Sequence, residues 1–184
     1  AFSMKTMARE HNLIKKMHAC ETIGAVNVIF TDKTGTLTQN VMTVVNVDVQ
    51  EGDGLLEVIG ALNSTANWSD GERVLGNPTE CAILKRMGRN RTEELRGRYE
   101  ILDCIPFSSS YKYMVSHVHD RETGERLIVA KGAPEVISRM IGYDVYLEDV
   151  AAQQARGRRA ISAAVLEGAD YESVRRMLEE KGCV

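Results

Sequence analysis

Asp32 follows the short apolar run Val26, Asn27, Val28, Ile29, Phe30, Thr31 and precedes Lys33, Thr34, Gly35, Thr36, Leu37 and Thr38. A carboxylate at a strand end, a neighbouring cation, hydroxyls and flexible backbone amides suit one reaction well. That reaction is attack by an Asp nucleophile on a phosphoryl group. The amides and hydroxyls can cradle the phosphate, and a metal ion would share its charge. The same residues also fit a plain capped turn with a solvent-facing Asp.

Several elements must position these groups. Residues 26–31 read as a buried parallel strand, being short, apolar and β-branched, with Asp32 at the carboxyl end where α/β sheets gather ligands. Upstream, residues 4–18 read as a helix with an irregular apolar stripe and a basic face of Lys5, Arg9, Lys15 and Lys16. It fits a surface helix or one lying beside a membrane. After Asn40 the pattern changes. Residues 41–49 alternate like a half-solvated strand, and 54–67 read as a helix. Asn77-Pro78-Thr79-Glu80 is a helix start, with the cap, the first-turn Pro and the Glu in register, predicting a helix to about residue 90. Strands are predicted at 99–105, 111–119 and 125–131, the last two joined by a hairpin over residues 120–124. Helices near 133–141 and 147–156, a strand near 159–165 and a helix near 170–181 follow. The expected fold class is α/β (α+β), a short parallel segment followed by an antiparallel sheet flanked by helices.

Composition bounds the function. The 184 residues are 43% hydrophobic and 27% charged, which excludes collagen, disorder and a disulfide mini-protein. A chain of this length buries roughly 70% of its unfolded surface and needs no staple. No window approaches 18 apolar residues, so no transmembrane span is predicted. With 23 Lys+Arg against 26 Asp+Glu, the chain is not a general nucleic-acid binder. Cys20, Cys81, Cys104 and Cys183 form no Cys-x-x-Cys pair and read as reduced, mostly buried thiols.

The string from Asp32 to Thr38 resembles the phosphorylation signature of the P-type ATPases, the ion-pumping ATPases. The resemblance implies that Asp32 becomes a transient aspartyl-phosphate, that Lys33 and Thr34 contact the phosphate, and that Asp32 and the Thr34 carbonyl help hold Mg²⁺. Related haloacid-dehalogenase phosphatases carry a second Asp where Thr34 stands here, so this chain lacks their acid/base helper.

Four further stretches resemble the nucleotide-binding (N) domain of the same family, in the family's order. Residues 76–82 resemble the segment whose Glu bonds the adenine amino group, which gives that role to Glu80; a capping box is its other reading. Residues 106–114 resemble the segment whose Phe stacks on adenine, here Phe107, with Lys112 near the phosphates. Ser109 departs from the basic residue common there in calcium pumps. Residues 130–135 resemble the family's Lys-Gly-Ala-Pro-Glu segment, giving Lys131 and Gly132 to ATP. Residues 155–159 resemble a segment whose last Arg reaches the phosphates, here Arg159, although Arg158, Ala160 and Ile161 depart from its pattern. Two strings mislead. Thr123-Gly124-Glu125 is similar to a dephosphorylation loop but lies in the wrong order. Gly52-Asp53-Gly54 is similar to a hinge motif but lacks the following Asn-Asp.

The resemblance implies three parts. Residues 1–40 would be a stalk helix and the first, Rossmann-like part of the phosphorylation domain. Residues 41–165 would be the N domain, and 166–184 a helix leading back to the phosphorylation domain. It further implies a multi-pass membrane parent whose actuator, transmembrane and remaining phosphorylation parts lie outside this sequence. This piece would face the cytoplasm, use ATP and Mg²⁺, and by itself only bind nucleotide. Residues 17–24 and 76–82 look most like calcium pumps. A pump for another cation and a soluble dehalogenase-type phosphatase are the alternatives.

Overall fold

The computed structural model describes residues 2–12, 15–16, 22–49, 53–142, 147–166 and 170–180. The chain divides into two units, Ala1–Asn40 and Val41–Val184.

The first unit holds helix α1 (Phe2–Arg9) and a turn over Lys33–Leu37. Positions 13, 14, 17 and 18 of the predicted helix lie outside the described residues. The run 26–31 forms no ladder with any described strand, contrary to the expectation of a buried strand. A parallel strand needs neighbours to satisfy its backbone and cover its side chains. Here Ile29 is 81% and Phe30 95% exposed.

The second unit is an antiparallel sheet flanked by helices. Its elements are α2 (Asp53–Leu62), β1 (Asn67–Trp68), β2 (Val74–Leu75), α3 (Pro78–Met87), α4 (Arg89–Arg98), β3 (Tyr99–Ile105), β4 (Tyr113–Asp120), β5 (Arg126–Gly132), α5 (Pro134–Ile141), α6 (Leu147–Ala155), β6 (Ser162–Val165) and α7 (Tyr171–Glu180). The four main strands pair in chain order β3-β4-β5-β6, every pair antiparallel. β1 and β2 form a separate two-stranded hairpin. Residues 41–49 largely alternate between exposed and half-buried but join no ladder among the described residues, so the predicted strand is not formed there.

Both sheet faces are covered. Val115, Ile128 and Ala130 pack with Ile137 of α5 and with Tyr171 and Val174 of α7. Val118 and Val129 pack on the other face with Val58, Ile59 and Leu62 of α2 and Leu95 of α4. The Tyr171 ring also stacks on His117, with centroids 5.1 Å apart. β3 serves both cores through one irregularity. Its register against β4 shifts between Ile101 and Asp103, so Leu102 is an extra residue. A bulge of this kind reverses which side chains face which side. Tyr99 therefore joins the α2 face and Ile105 the α5 face.

α3 is shorter than predicted, and α4 was not anticipated. Gly88, at φ +85°, ends α3 and leads directly into α4. The sequence of α4, Arg-Asn-Arg-Thr-Glu-Glu-Leu-Arg-Gly-Arg, shows no apolar stripe. It is held by Thr92 and Leu95, both buried, and by Arg89–Glu93 and Arg91–Glu94 ion pairs on its surface. The 120–124 connection is a hairpin as expected, with Gly124 N–H donating to Asp120 O and Asp120 N–H to Glu125 O. Arg98 grips the Asp120 carboxylate with Nε and Nη2, and this holds the Asp120 carboxyl well below the usual range. Of the cysteines, Cys81 is half-buried and Cys104 exposed on β3, while Cys20 and Cys183 lie outside the described residues. Cys104 thus departs from the buried reading.

The bulge has a testable consequence. Leu102→Ala, at a side chain 43% exposed, is expected to change stability by less than about 0.5 kcal/mol. Deletion of Leu102 would move Tyr99 or Ile105 off its core, costing about 3 kcal/mol or more. Urea unfolding followed by circular dichroism distinguishes the two.

Candidate functional site

Antiparallel order brings one end of each of the four strands, and the segments joined to them there, to the same end of the sheet. Ile105 pairs with Val115, Val115 with Ala130 and Ala130 with Ala164. The loop 106–112, the β5 exit at Gly132 and the approach to β6 at 158–161 therefore share one end.

Lys131 lies on the β5 face that carries Val129, toward α2 and α4, and is 7% exposed. A charge so buried needs a partner. It comes from α3, 51 residues earlier: Lys131 Nζ donates to Glu80 Oε1 at 2.8 Å. The other carboxylate oxygen, Oε2, accepts from Thr65 N–H at 2.9 Å and Thr65 Oγ1 at 2.7 Å. Burial pushes the Glu80 carboxyl up, but the bonds from Lys131 and Thr65 outweigh it and hold it below the ordinary glutamate range. Glu80 thus reaches into the sheet instead of closing a capping box. Capping falls to Asn77, whose Oδ1 accepts from Thr79 N–H at 2.9 Å.

The start of α3 is placed by close backbone packing. Gly76 has φ +140°, and a Cβ there would lie 2.7 Å from Ala66 Cα. No other residue fits that approach without displacing the hairpin. Arg159, 80 residues further on, donates from Nη1 to Thr79 Oγ1 at 2.9 Å. It therefore stands beside the first turn of α3.

Gly132 is equally constrained. A Cβ would meet Lys112 O at 2.5 Å and Tyr113 Cβ at 2.7 Å. Lys112 itself adopts φ +62°, a conformation uncommon outside glycine. It is held there by donating to Ser108 O at 2.7 Å and accepting from Ala133 N–H at 2.8 Å. Its ammonium is exposed, 3.9 Å from Glu135 Oε1. Phe107, in the same loop, presents a ring 55% exposed.

The sheet end thus offers an exposed aromatic face, a buried carboxylate–ammonium pair and two exposed cations. Such a set can stack a flat ring, accept a hydrogen bond and attract an anion. Two surface grooves lie elsewhere, one between α2 and α4 and one along the exposed edge of β3; Glu80, Phe107 and Lys131 line neither.

Asp32, Lys33 and Thr34 belong to the first unit. Thr34 (φ −82°, ψ 118°) and Gly35 (φ +80°, ψ −6°) have the dihedrals of the two central residues of a type II turn. That turn needs a residue tolerating positive φ at its third position, which is the reason for Gly35. Thr38 closes the loop, its N–H and Oγ1 donating to Lys33 O at 3.2 and 3.3 Å. Asp32, Lys33 and Thr34 are all exposed.

Sequence reasoning missed Thr65, Asn63 and Arg96. Asn63 is fully buried, donates to Met114 O and accepts from Ser116 Oγ. Arg96 holds the loop that carries Thr65. The helix expected over 54–67 ends at Leu62, because the polar run Asn63-Ser64-Thr65 leaves it for partners on other elements, and nothing in the local pattern pointed to Glu80.

Comparison with known proteins matches residues 51–140 to a family model described as P-type ATPase, cytoplasmic domain N. A calcium-transporting ATPase of Listeria monocytogenes is 36% identical over 169 residues, covering 80% of this chain and 18% of that protein. A calcium-transporting ATPase of Bacillus subtilis is 32% identical over 200 residues, covering 90% of this chain and 22% of its own. A sodium/potassium-transporting ATPase alpha-B subunit of Artemia franciscana is 36% identical over 167 residues, covering 72% and 16%. The chain spans about a fifth of the length of the curated relatives it matches.

The buried pair sets two expectations. Lys131→Met leaves Glu80 charged and unpaired and should cost about 3–5 kcal/mol at neutral pH. Because the folded carboxyl titrates below its unfolded value, the pair's contribution is complete above the ordinary glutamate range. It is lost as pH falls through the folded value. In Glu80→Gln the acid limb of stability should therefore be flatter, as read by urea midpoints across pH 3–7.

Proposed function

The chain belongs to the P-type ATPases, whose cytoplasmic domain N it carries, and from that premise we propose that its sheet-end site binds ATP. The contact between Lys131 and Glu80 carries this reading, because it joins two of the four family-like segments at one point. The Arg159–Thr79 bond brings in a third segment.

In this reading Phe107 stacks on the adenine ring. Glu80 Oε1 accepts one donor from Lys131, so a carboxylate oxygen with two lone-pair sites keeps one for the adenine amino group. Gly132 contributes to the ATP site by letting the Lys112–Tyr113 backbone pack against it, which holds the loop of Phe107 and Lys112 at the sheet end. Lys112 and Arg159 meet the phosphates.

For the parent protein we propose ATP hydrolysis through Asp32. An Asp32 carboxylate oxygen attacks the γ-phosphorus, a P–O bond forms, the bond to the bridging oxygen breaks, and ADP leaves. Lys33 offsets the growing charge, and the loop amides and Thr34 hydroxyl orient the phosphoryl group. The Asp32 carboxylate and Thr34 carbonyl are hard oxygen donors of the kind Mg²⁺ takes. As two oxygen donors they would supply only part of its shell, and among the described residues no three His, Cys, Asp or Glu side chains gather to complete one. When bound, the ion neutralises charge on the phosphoryl oxygens. The phosphorylated Asp would drive cation transport by a membrane parent, with this piece on the cytoplasmic side and the actuator and transmembrane parts as its partners.

We take calcium as the transported ion, because the Listeria and Bacillus relatives are calcium-transporting ATPases. A second reading, sodium and potassium, is favoured by the Artemia relative at the same 36% identity as the first calcium one. The chain alone would bind nucleotide with little turnover.

Calorimetric titration with ATP tests the site. Phe107→Ala should lose about 1–3 kcal/mol of stacking, a five- to 150-fold weaker dissociation constant. Absent binding, or equal binding by the variant, would overturn the reading. Sustained phosphatase turnover dependent on Asp32 would instead favour a soluble phosphatase.

A further inference from the structure

We propose that Arg96 is a positioning residue for the Glu80–Lys131 pair, acting through residues 61–67, the end of α2 and the loop that follows it. Its guanidinium fork makes three bonds to that segment: Nε to Ala61 O at 3.0 Å, Nη2 to Ala66 O at 2.8 Å and Nη1 to Asn67 Oδ1 at 2.6 Å. These acceptors bracket Thr65, which gives Glu80 Oε2 both of its hydrogen bonds. A planar fork can fix three acceptors at once, whereas an ammonium on a flexible stem cannot.

The loop is held from its other side as well. Asn63, at its start, donates to Met114 O, and Met114 is the cross-strand neighbour of Lys131. Other bonds within the loop are short-range, Ala66 N–H to Ser64 Oγ and Asn67 Nδ2 to Thr65 O. Arg96 is therefore the long-range clamp on the Thr65 side. Ala66 also packs against the backbone of Gly76, so the clamp bears on the start of α3, from which Glu80 projects. Burial lowers the pKa of Arg96 while the charge of Glu80 opposes that shift, in keeping with two partly desolvated charges near one another.

Arg96 itself touches no proposed ligand atom. Its effect on nucleotide rests on the ATP reading above; its effect on Glu80 does not. The test is a carboxyl-¹³C NMR titration of Glu80 in the full chain, with Arg96→Lys as the main variant because Lys keeps the charge and loses the fork. As the Thr65 donors loosen, Glu80 should titrate at least about half a pH unit higher than in the wild type. ATP should bind about three- to tenfold more weakly. A folded Arg96→Lys chain whose Glu80 titrates as in the wild type overturns the proposal, since a merely structural Arg would leave that midpoint alone. Should Arg96→Lys fail to fold, Asn67→Ala removes one exposed acceptor and decides instead: a smaller upward shift supports the clamp, and an unchanged midpoint overturns it. If the wild type binds no ATP, the nucleotide reading falls while the Glu80 titration still decides the role of Arg96.

Discussion

A lysine ammonium buried on a sheet face constrains everything around it. Lys131 cannot stay charged there without a carboxylate, and the carboxylate must itself be held or the pair gains nothing from burial. Glu80 meets that need only because α3 begins where it does. Its start depends on the Asn77 cap, on the Gly76 backbone approach to Ala66, and on a loop that aims both Thr65 donors at Oε2. The cap, the close backbone approach and the two Thr65 donors together make one desolvated ion pair tolerable.

The apolar architecture solves a different problem. A four-stranded sheet covered on both faces needs strands that contribute to two cores at once. β4 and β5 do so by simple alternation, which places Val115 and Val118, or Ile128 and Val129, on opposite sides. The edge strand β3 does so by a bulge at Leu102. Without it, Tyr99 and Ile105 would face the same way. The resulting sheet holds β4 and β5 in a register that sets Gly132 against Tyr113 and lets loop 106–112 fold over the sheet end. The two cores and the buried pair therefore share one frame, and Phe107, Lys112 and Arg159 are exposed on the segments that meet at the same end of the sheet.

Much of this was legible in the chain. The span 99–105 was read as a strand to the residue, and the helix start at Asn77-Pro78 and the hairpin at 120–124 were also foreseen, since caps, alternation and turn residues act between near neighbours. What failed did so where local pattern and tertiary setting disagree. Residues 26–31 have strand composition but join no ladder among the described residues, and 41–49 alternate without joining one either. α4 has no apolar stripe at all; Leu95 and Thr92 hold it by packing, and charge pairs dress its surface. Asn63, Thr65 and Arg96 escaped notice because their partners lie on other elements.

By itself the sequence determined which residues can do chemistry, where most helices and strands begin, and, through whole motif strings, the family. These rest on interactions a few residues long, or on strings specific enough to need no geometry. Only the tertiary structure decided that Glu80 belongs to Lys131 across 51 residues and Arg159 to Thr79 across 80. It likewise decided that one extra residue in β3 divides its side chains between two cores. The physical reason is that desolvation and register are properties of what surrounds a group. A charge becomes costly, and a partner necessary, only when distant parts of the chain have closed over it.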